Sequence, residues 1–394
     1  MNIWIVREAE SLSPTHSRKY RYLGLTDSLT THSHGVTLFT SSFDHATKKS
    51  KNIIDLKKIH PFVDFVLLNS ISYYKHLSIR RIINQYQLSY SFNSKAKRLS
   101  KPDLIICSIP SIHLAKAATQ YAIKNNVPII LDIVDLWPDL FRHFLPKFIN
   151  VAAGPYIWLL RRELKYTLDY ASAITALTDS YLQWGLDYRT KPISFFKAIP
   201  FGYEYVRFNK SVEHFSIIFA GSITRQFDFD PFFEAAERLN ELSFTIAGSG
   251  DLFESLKAKY VNITNLRWTG WLDSEELESE LMNASIAIMP YKNLPHFQKN
   301  ITNKFSEYLA YGLPILTSVS GEMLDLLEQH QCGAFYSSSE ELVQHILGYK
   351  TKSDKLKQHS ENARILQRKH FDIDKINKDF VDFIEEVHTR YHSR

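Results

Sequence analysis

A chain of 394 residues has room for two to three domains with cores of their own, which excludes a peptide hormone, a fibre or a disordered tail. Hydrophobic residues at 44% and charged residues at 23% are ordinary for a folded protein. Cys107 and Cys332 stand too far apart for a CxxC metal site or a disulfide framework, which excludes structural zinc and points to a reducing cytoplasm. The net charge of +5 divides unevenly: residues 1–200 hold 26 Lys and Arg against 14 Asp and Glu (+12), and 201–394 hold 21 against 28 (−7).

In chain order, the first residues, Met1 to Arg7, turn polar after six positions. That is too short for the apolar core of a signal peptide and reads as a first strand. Further strands are expected at 36–39, 64–68, 103–107, 128–132 and 173–177, with helical patterns between most of them. The rhythm restarts at 216–220 and continues at 243–247, 265–269, 285–289 and 314–318. This alternation predicts an α/β fold of two Rossmann-like parallel sheets, domains 1–200 and 201–371, with the linker in the irregular stretch from Ile199 to Glu213, where the charge changes sign. Residues 372–394 space Ile376, Phe380, Ile384 and Val387 as one helical stripe that packs back on the body. The most apolar stretch, 148–160, falls short of the ~20 residues needed to cross a bilayer, and reads as a short buried helix or an interfacial one.

The positive charge concentrates between 48 and 101. Lys48, Lys49, Lys51, Lys57, Lys58, Lys75, Arg80, Arg81, Lys95, Lys97, Arg98 and Lys101 face only Asp55 and Asp64, and Phe62, Phe65, Tyr73, Tyr74, Tyr86, Tyr90 and Phe92 are interleaved. Basic groups mixed with aromatics suit an anionic membrane surface, or nucleic acid; a solvated face over ordinary core aromatics is the plainer reading.

Parallel sheets bind ligands outside the carboxyl ends of their strands, so the chemistry is sought in the loops there. After 216–220 comes a nine-residue loop, Gly221 to Phe229, longer than usual, in which Gly221 and Ser222 offer backbone N–H groups and Arg225 is the only cation. Asp230 is expected to cap the next helix, with Pro231 first inside it. Arg225 reads as a guanidinium for a diphosphate or as a surface arginine on a long turn. Gly248-Ser-Gly-Asp251 is a second loop that permits close approach to a ligand, but the third glycine of a dinucleotide fingerprint is missing, which disfavours a nicotinamide enzyme. The third segment, Ile301 to Ser318, reads as a short helix capped by Thr302 or Asn303 and stopped by Gly312 and Pro314. Phe305 and Leu309 face the core on it, leaving Lys304, Glu307 and Tyr311 toward the loops. Glu307 could accept two parallel hydrogen bonds from the vicinal hydroxyls of a ribose, or pair with Lys304 at the surface.

The phrase Asn303-Lys-Phe-Ser-Glu-Tyr-Leu-Ala-Tyr-Gly-Leu-Pro-Ile-Leu316 resembles the donor-site helix of retaining family-4 glycosyltransferases, which have the two-domain GT-B fold. Val127-Pro-Ile-Ile-Leu-Asp-Ile-Val-Asp-Leu-Trp-Pro138 is similar to a segment of members that build bacterial surface polysaccharide such as O-antigen or capsule. The resemblance implies a hexosyl- or glycosyltransferase of the EC 2.4 class that uses a nucleotide sugar, UDP more than GDP, and a glycan or lipid-linked acceptor. Glu307 would hold the ribose, Arg225 the diphosphate, Trp268 to Trp271 with Gly270 the base, and Glu322 the donor sugar or its phosphate. Two positions depart from the family: Lys299 stands where many relatives have a second Glu, and no lysine follows Arg225, a charge that Lys304 could replace.

Departure of a diphosphate demands fixed positive charge and amides in the transition state, which Arg225, Lys304 and the loop N–H groups supply without a metal or other cofactor. On the acceptor side Asp135, with Asp132 before it, is expected to position or deprotonate a hydroxyl, unless it caps a helix beside Trp137. Ser13, His16, Ser17 and Arg18 stand on the loop that faces the acceptor in relatives. For the basic patch the resemblance implies a peripheral place at the inner face of the cytoplasmic membrane, and no nucleic acid. Two other readings share the architecture: a nucleotide-sugar epimerase and a non-catalytic scaffold.

Overall fold

The computed structural model describes residues 1–9, 21–44, 50–72, 78–141, 151–207 and 214–393. Two compact units emerge: the first takes the described residues through Pro200 together with 377–393, and the second takes 201–376.

The first unit is a seven-stranded parallel sheet made of β1 (Asn2–Val6), β2 (Gly35–Ser41), β3 (Val63–Leu68), β4 (Leu104–Ile109), β5 (Ile129–Ile133), β6 (Ala173–Ala176) and β7 (Phe196–Ala198). Its spatial order is β3-β2-β1-β4-β5-β6-β7. Central strands such as Leu-Ile-Ile-Cys-Ser-Ile are buried at every position, as a parallel sheet covered on both faces requires. Trp4, Phe39, Phe92 and Tyr121 pack together on this sheet. Phe380, Ile384 and Val387 of the last helix are buried, and the pairs Lys197–Asp379 (3.1 Å) and His34–Glu385 (2.9 Å) hold it to this unit.

The second unit has six parallel strands: β8 (Ser216–Ala220), β9 (Ser243–Ala247), β10 (Leu266–Gly270), β11 (Ile286–Met289), β12 (Ile315–Thr317) and β13 (Gly333–Phe335), in the order β10-β9-β8-β11-β12-β13. The expected strands are all present. Two were missed, β7 and β13, three-residue strands at sheet edges that are too short to show periodicity. Helix Asp230–Arg238 begins with Asp230 inside it, so Asp230 is not its cap; Phe229 stands there and Pro231 follows in the first turn.

The apolar stretch 148–160 is not one buried helix. Residues 142–150 lie outside the described residues, and helix Gly154–Asp169 buries Ile157 and Leu160 while Trp158 faces out. No helix among the described residues is long and apolar enough to cross a membrane. The basic stretch is also less uniform than its composition suggests. Phe65 and Phe92 are core residues, while Lys57 and Lys58 pair with Asp64 (3.1 Å) and Asp55 (3.7 Å). Lys48, Lys49, Tyr73, Tyr74 and Lys75 lie outside the described residues.

Candidate functional site

In the second sheet β8 lies between β9 and β11, so the chain leaves β8 on one side and β11 on the other. The crevice at the carboxyl ends of two such strands is where open α/β sheets bind ligands. Ala220, the last residue of β8, is held there by two side chains. Its N–H donates to the Tyr308 hydroxyl (2.8 Å), and its carbonyl accepts from that hydroxyl (3.1 Å) and from Lys304 Nζ (2.7 Å). Lys304 and Tyr308 stand one turn apart on helix Asn303–Ala310 and therefore share a face. A Cβ on Gly221 would lie 1.5 Å from Lys304 Nζ, so glycine at 221 (φ +149°) is what lets the ammonium reach the strand end. The Lys304 ammonium also stands 5.5 Å from the Phe219 ring centre, within cation–π range.

The glycines of the second loop serve a different purpose from the one expected. A Cβ on Gly248 would lie 2.0 Å from the Gly221 carbonyl oxygen, and one on Gly250 2.3 Å from that of Ile223. Gly221 N–H donates to Ala247 (2.7 Å) and Ile223 N–H to Ser249 (3.0 Å). The two loops thus interlock backbone to backbone. Beyond them Ser222 is exposed, and Arg225 projects from an exposed turn, its guanidinium without a hydrogen-bond or ion-pair partner among the described residues.

Glu307 is 3% exposed, and Tyr311 is equally buried, so the alternative of a surface Glu307 does not hold. Helix Asn303–Ala310 ends as expected at Gly312 (φ +60°), with Leu313 N–H bonded to the Tyr308 carbonyl (3.0 Å). Glu322 opens helix Glu322–Gln329 just after Gly321, where a Cβ would meet the Gln298 carbonyl oxygen at 2.3 Å. Asn293 Oδ1 accepts from Gln298 Nε2 (2.9 Å) and from Ser320 N–H (3.3 Å), which fixes the segment carrying the exposed Lys299 beside the loop before Glu322. Trp268 is occupied by packing, stacked on Phe233 and edge-on to Phe253, each at 5.6 Å. Gly270 (φ +72°) accepts from Gly248 N–H (2.8 Å), and Trp271 after it is the exposed indole of the pair.

In the first unit the two aspartates three residues apart part company. Asp132, inside β5, is fully buried and accepts from Arg21 Nε (2.8 Å) and Nη2 (2.9 Å), Tyr22 Oη (2.5 Å) and Thr175 Oγ1 (2.8 Å). Burial pushes its carboxyl up, but the Arg21 charge and these hydrogen bonds outweigh burial and hold it below the usual range. Its placement on the acceptor side is therefore corrected: every lone pair it could offer is engaged inside the unit. Asp135 lies beyond the strand end, and its carboxylate accepts from Leu136 N–H and Trp137 Nε1, both at 3.0 Å. Burial lifts it to about 6, with those donors and the Arg81 charge pulling the other way. Arg81 itself lies over the Trp137 ring at 5.4 Å. His16 and Arg18, like Ser13 and Ser17, lie outside the described residues.

Asp228 and Asp230 stand in Asp-x-Asp spacing, which corrects the expectation that the chain has no metal-ligand spacing of that kind. Asp230 accepts from Tyr260 Oη (2.6 Å) and Lys259 Nζ (3.4 Å), and no group of three or more His, Cys, Asp or Glu side chains among the described residues is placed to hold a metal ion. Sequence reasoning also missed Tyr308, whose signal was its spacing of four from Lys304, and the Arg21, Tyr22 and Thr175 shell, for which no local signal exists.

Residues 214–350 match the family described as Glycosyl transferases group 1. A putative teichuronic acid biosynthesis glycosyltransferase, TuaH of Bacillus subtilis strain 168, is 29% identical over 212 residues. That match covers 48% of this chain and 49% of TuaH, so the chain spans about half the length of the curated relative it matches. Among solved structures, sucrose-phosphate synthase from Thermosynechococcus elongatus superposes with a TM-score of 0.76 at 12% identity, covering 99% of both chains. HepE of Anabaena, solved in complex with UDP, superposes with a TM-score of 0.71 at 13% identity, covering 98% of this chain and 100% of its own. The second unit thus carries a segment of the glycosyl transferases group 1 type, in a chain whose two parallel-sheet units have the fold of GT-B glycosyltransferases.

Proposed function

We propose that the protein is a retaining glycosyltransferase that moves a sugar from a nucleoside-diphosphate sugar, UDP in preference to GDP, to a glycan or lipid-linked acceptor in bacterial surface-polysaccharide synthesis. The observation that carries this reading is the end of β8, where Lys304 stands in the space vacated by Gly221 and Arg225 follows on an exposed turn. Two cations at a strand-end crevice suit a diphosphate whose charge grows as the glycosidic bond breaks. HepE, of the same fold, was solved with UDP, and TuaH is described as a putative teichuronic acid glycosyltransferase. The first favours a uridine-nucleotide donor and the second a polysaccharide product.

The candidate residues fall in different units. In the second, Arg225 and Lys304 bind the diphosphate and Glu307 takes the ribose hydroxyls. In the first, Asp135, lifted to about 6 by burial, is ionised at neutral pH yet basic enough to accept the acceptor's hydroxyl proton. The protein works at an anionic membrane surface, to which the basic residues of 48–101 are attracted.

The test is incubation with radiolabelled UDP- and GDP-sugars plus bacterial lipid extract, beside calorimetric titration with UDP. Transfer of label to lipid or glycan, lost in Arg225→Ala and Asp135→Asn, is expected. Interconversion of the free nucleotide sugar would establish an epimerase instead, and failure to bind any nucleotide a scaffold.

A further inference from the structure

Helix Ile79–Ala96 of the first unit has two apolar sides. Its inner side, Leu88, Phe92 and Ala96, is buried in the core, with Phe92 5.2 Å from Phe39. On the other side Ile79, Ile83, Tyr86 and Tyr90 remain 76, 48, 46 and 78% exposed. Their spacing of four, three and four places them in one stripe about 60° wide and about 16 Å long. Single exposed hydrophobes are commonplace on a protein surface, whereas a continuous stripe marks a contact surface.

The charge around the stripe is of one sign. From 79 to 102 the sequence contains six Lys and Arg and no acidic residue. Arg81 is turned inward over Trp137, and Lys95 binds Asn69 (3.3 Å); Arg80, Lys97, Arg98 and Lys101 stay exposed. A second copy of the chain would bring an equally basic face against this one, so self-association is opposed by charge. An anionic bilayer satisfies both the stripe and its surroundings.

We propose that the outward stripe of helix Ile79–Ala96 is the surface that seats on an anionic lipid bilayer, with Ile79, Ile83, Tyr86 and Tyr90 entering the interface and Arg80, Lys97, Arg98 and Lys101 meeting the headgroups. This rests on the membrane reading above and narrows it to one helix. The same helix carries Arg81 to Trp137, the hydrogen-bond donor to Asp135, and Tyr86 stacks on His113 at 4.1 Å. One element therefore joins the lipid-facing stripe to the neighbourhood of Asp135.

The experiment is flotation of the full chain with vesicles of phosphatidylglycerol and phosphatidylcholine in equal parts. Wild type binds at low salt and releases as salt rises. Ile79→Asn with Tyr90→Asn lowers partitioning about 30-fold, the effect of removing two largely exposed apolar side chains from the interface. Lys97→Glu with Arg98→Glu abolishes the preference over pure phosphatidylcholine. Thermal midpoints and UDP affinity stay at wild-type values in both, since these residues lie on the surface. The proposal is overturned if the Ile79/Tyr90 variant floats as well as wild type, if wild type ignores the vesicles, or if binding is indifferent to lipid charge. It is also overturned if the stripe variant abolishes a dimer while vesicles are not bound. Absence of both UDP and GDP binding by wild type would defeat the glycosyltransferase reading and leave the flotation result standing.

Discussion

Replacing Asp135 with asparagine separates what this carboxylate does for stability from what it does for chemistry. Burial raises the group from 3.8 to about 6, a shift of about two pK units, or about 3 kcal/mol. A carboxyl whose folded pKa is raised stabilises the fold below its unfolded value, and that contribution is lost as pH rises through the folded one. At pH 7.5 wild type therefore carries a penalty of about 3 kcal/mol that a neutral amide avoids. Asparagine has its own cost. Leu136 N–H and Trp137 Nε1 both donate to the carboxylate, and the amide can accept only one of them well, which costs about 1 kcal/mol. Asp135→Asn should thus be more stable than wild type by about 2 kcal/mol at pH 7.5 and less stable by about 1 kcal/mol only well below about pH 4, with a crossing at about pH 4.5. Urea titrations of both proteins at several pH values measure this, and transfer assays on the same samples should show wild-type activity falling below about pH 6 and the variant inactive throughout. A variant less stable than wild type at every pH would refute the claim that Asp135 is held ionised against its surroundings.

Three further expectations concern the scaffold. Tyr308→Phe leaves the Ala220 N–H buried without its partner and should cost about 1–3 kcal/mol, whereas Lys304→Met keeps that bond, destabilises less, and weakens UDP binding by about 10- to 100-fold; urea unfolding and calorimetry on both variants decide it, and the reverse ranking would refute it. Gly248→Ala drives a methyl into the Gly221 carbonyl and should cost about 3 kcal/mol or more, while Ser249→Ala next to it changes stability by under about 0.5 kcal/mol, as read from thermal melts. Asp132→Asn should cost about 3–5 kcal/mol at pH 7. Its folded pKa is depressed, so the wild-type advantage is complete above about pH 4 and shrinks as acid protonates the carboxylate, which unfolding curves at pH 7 and pH 3 will show.

Most of the architecture was legible because central parallel strands are unbroken apolar runs; 216–220 and 243–247 coincide with β8 and β9. The helix at 303–310 was legible for a local reason as well, since its stop signals lie within four residues of its end. What failed was whatever depends on distant partners. Asp132 and Asp135 look equivalent along the chain, yet Arg21 stands 111 residues from Asp132 and Thr175 stands 43, and only their convergence on β5 makes one a buried hub. Glu307 and Lys304 were placed correctly on one short helix, but its depth in the unit is not encoded in its period, so the burial of Glu307 was not foreseen. The glycines of 248–250 were read for a ligand because sequence shows which backbones can approach closely, not what approaches them.

The first unit is discontinuous: its final helix is drawn from 377–393. On a ribosome the stretch that is synthesised later, 201–376, is the one whose residues are contiguous and can complete their fold as they emerge. The earlier unit must wait, with the apolar seat of Phe380, Ile384 and Val387 open, until 377–393 have been translated. A gene fragment that stops at codon 200 is thus expected to yield insoluble product, and one that appends the terminal helix through a short tether to rescue it.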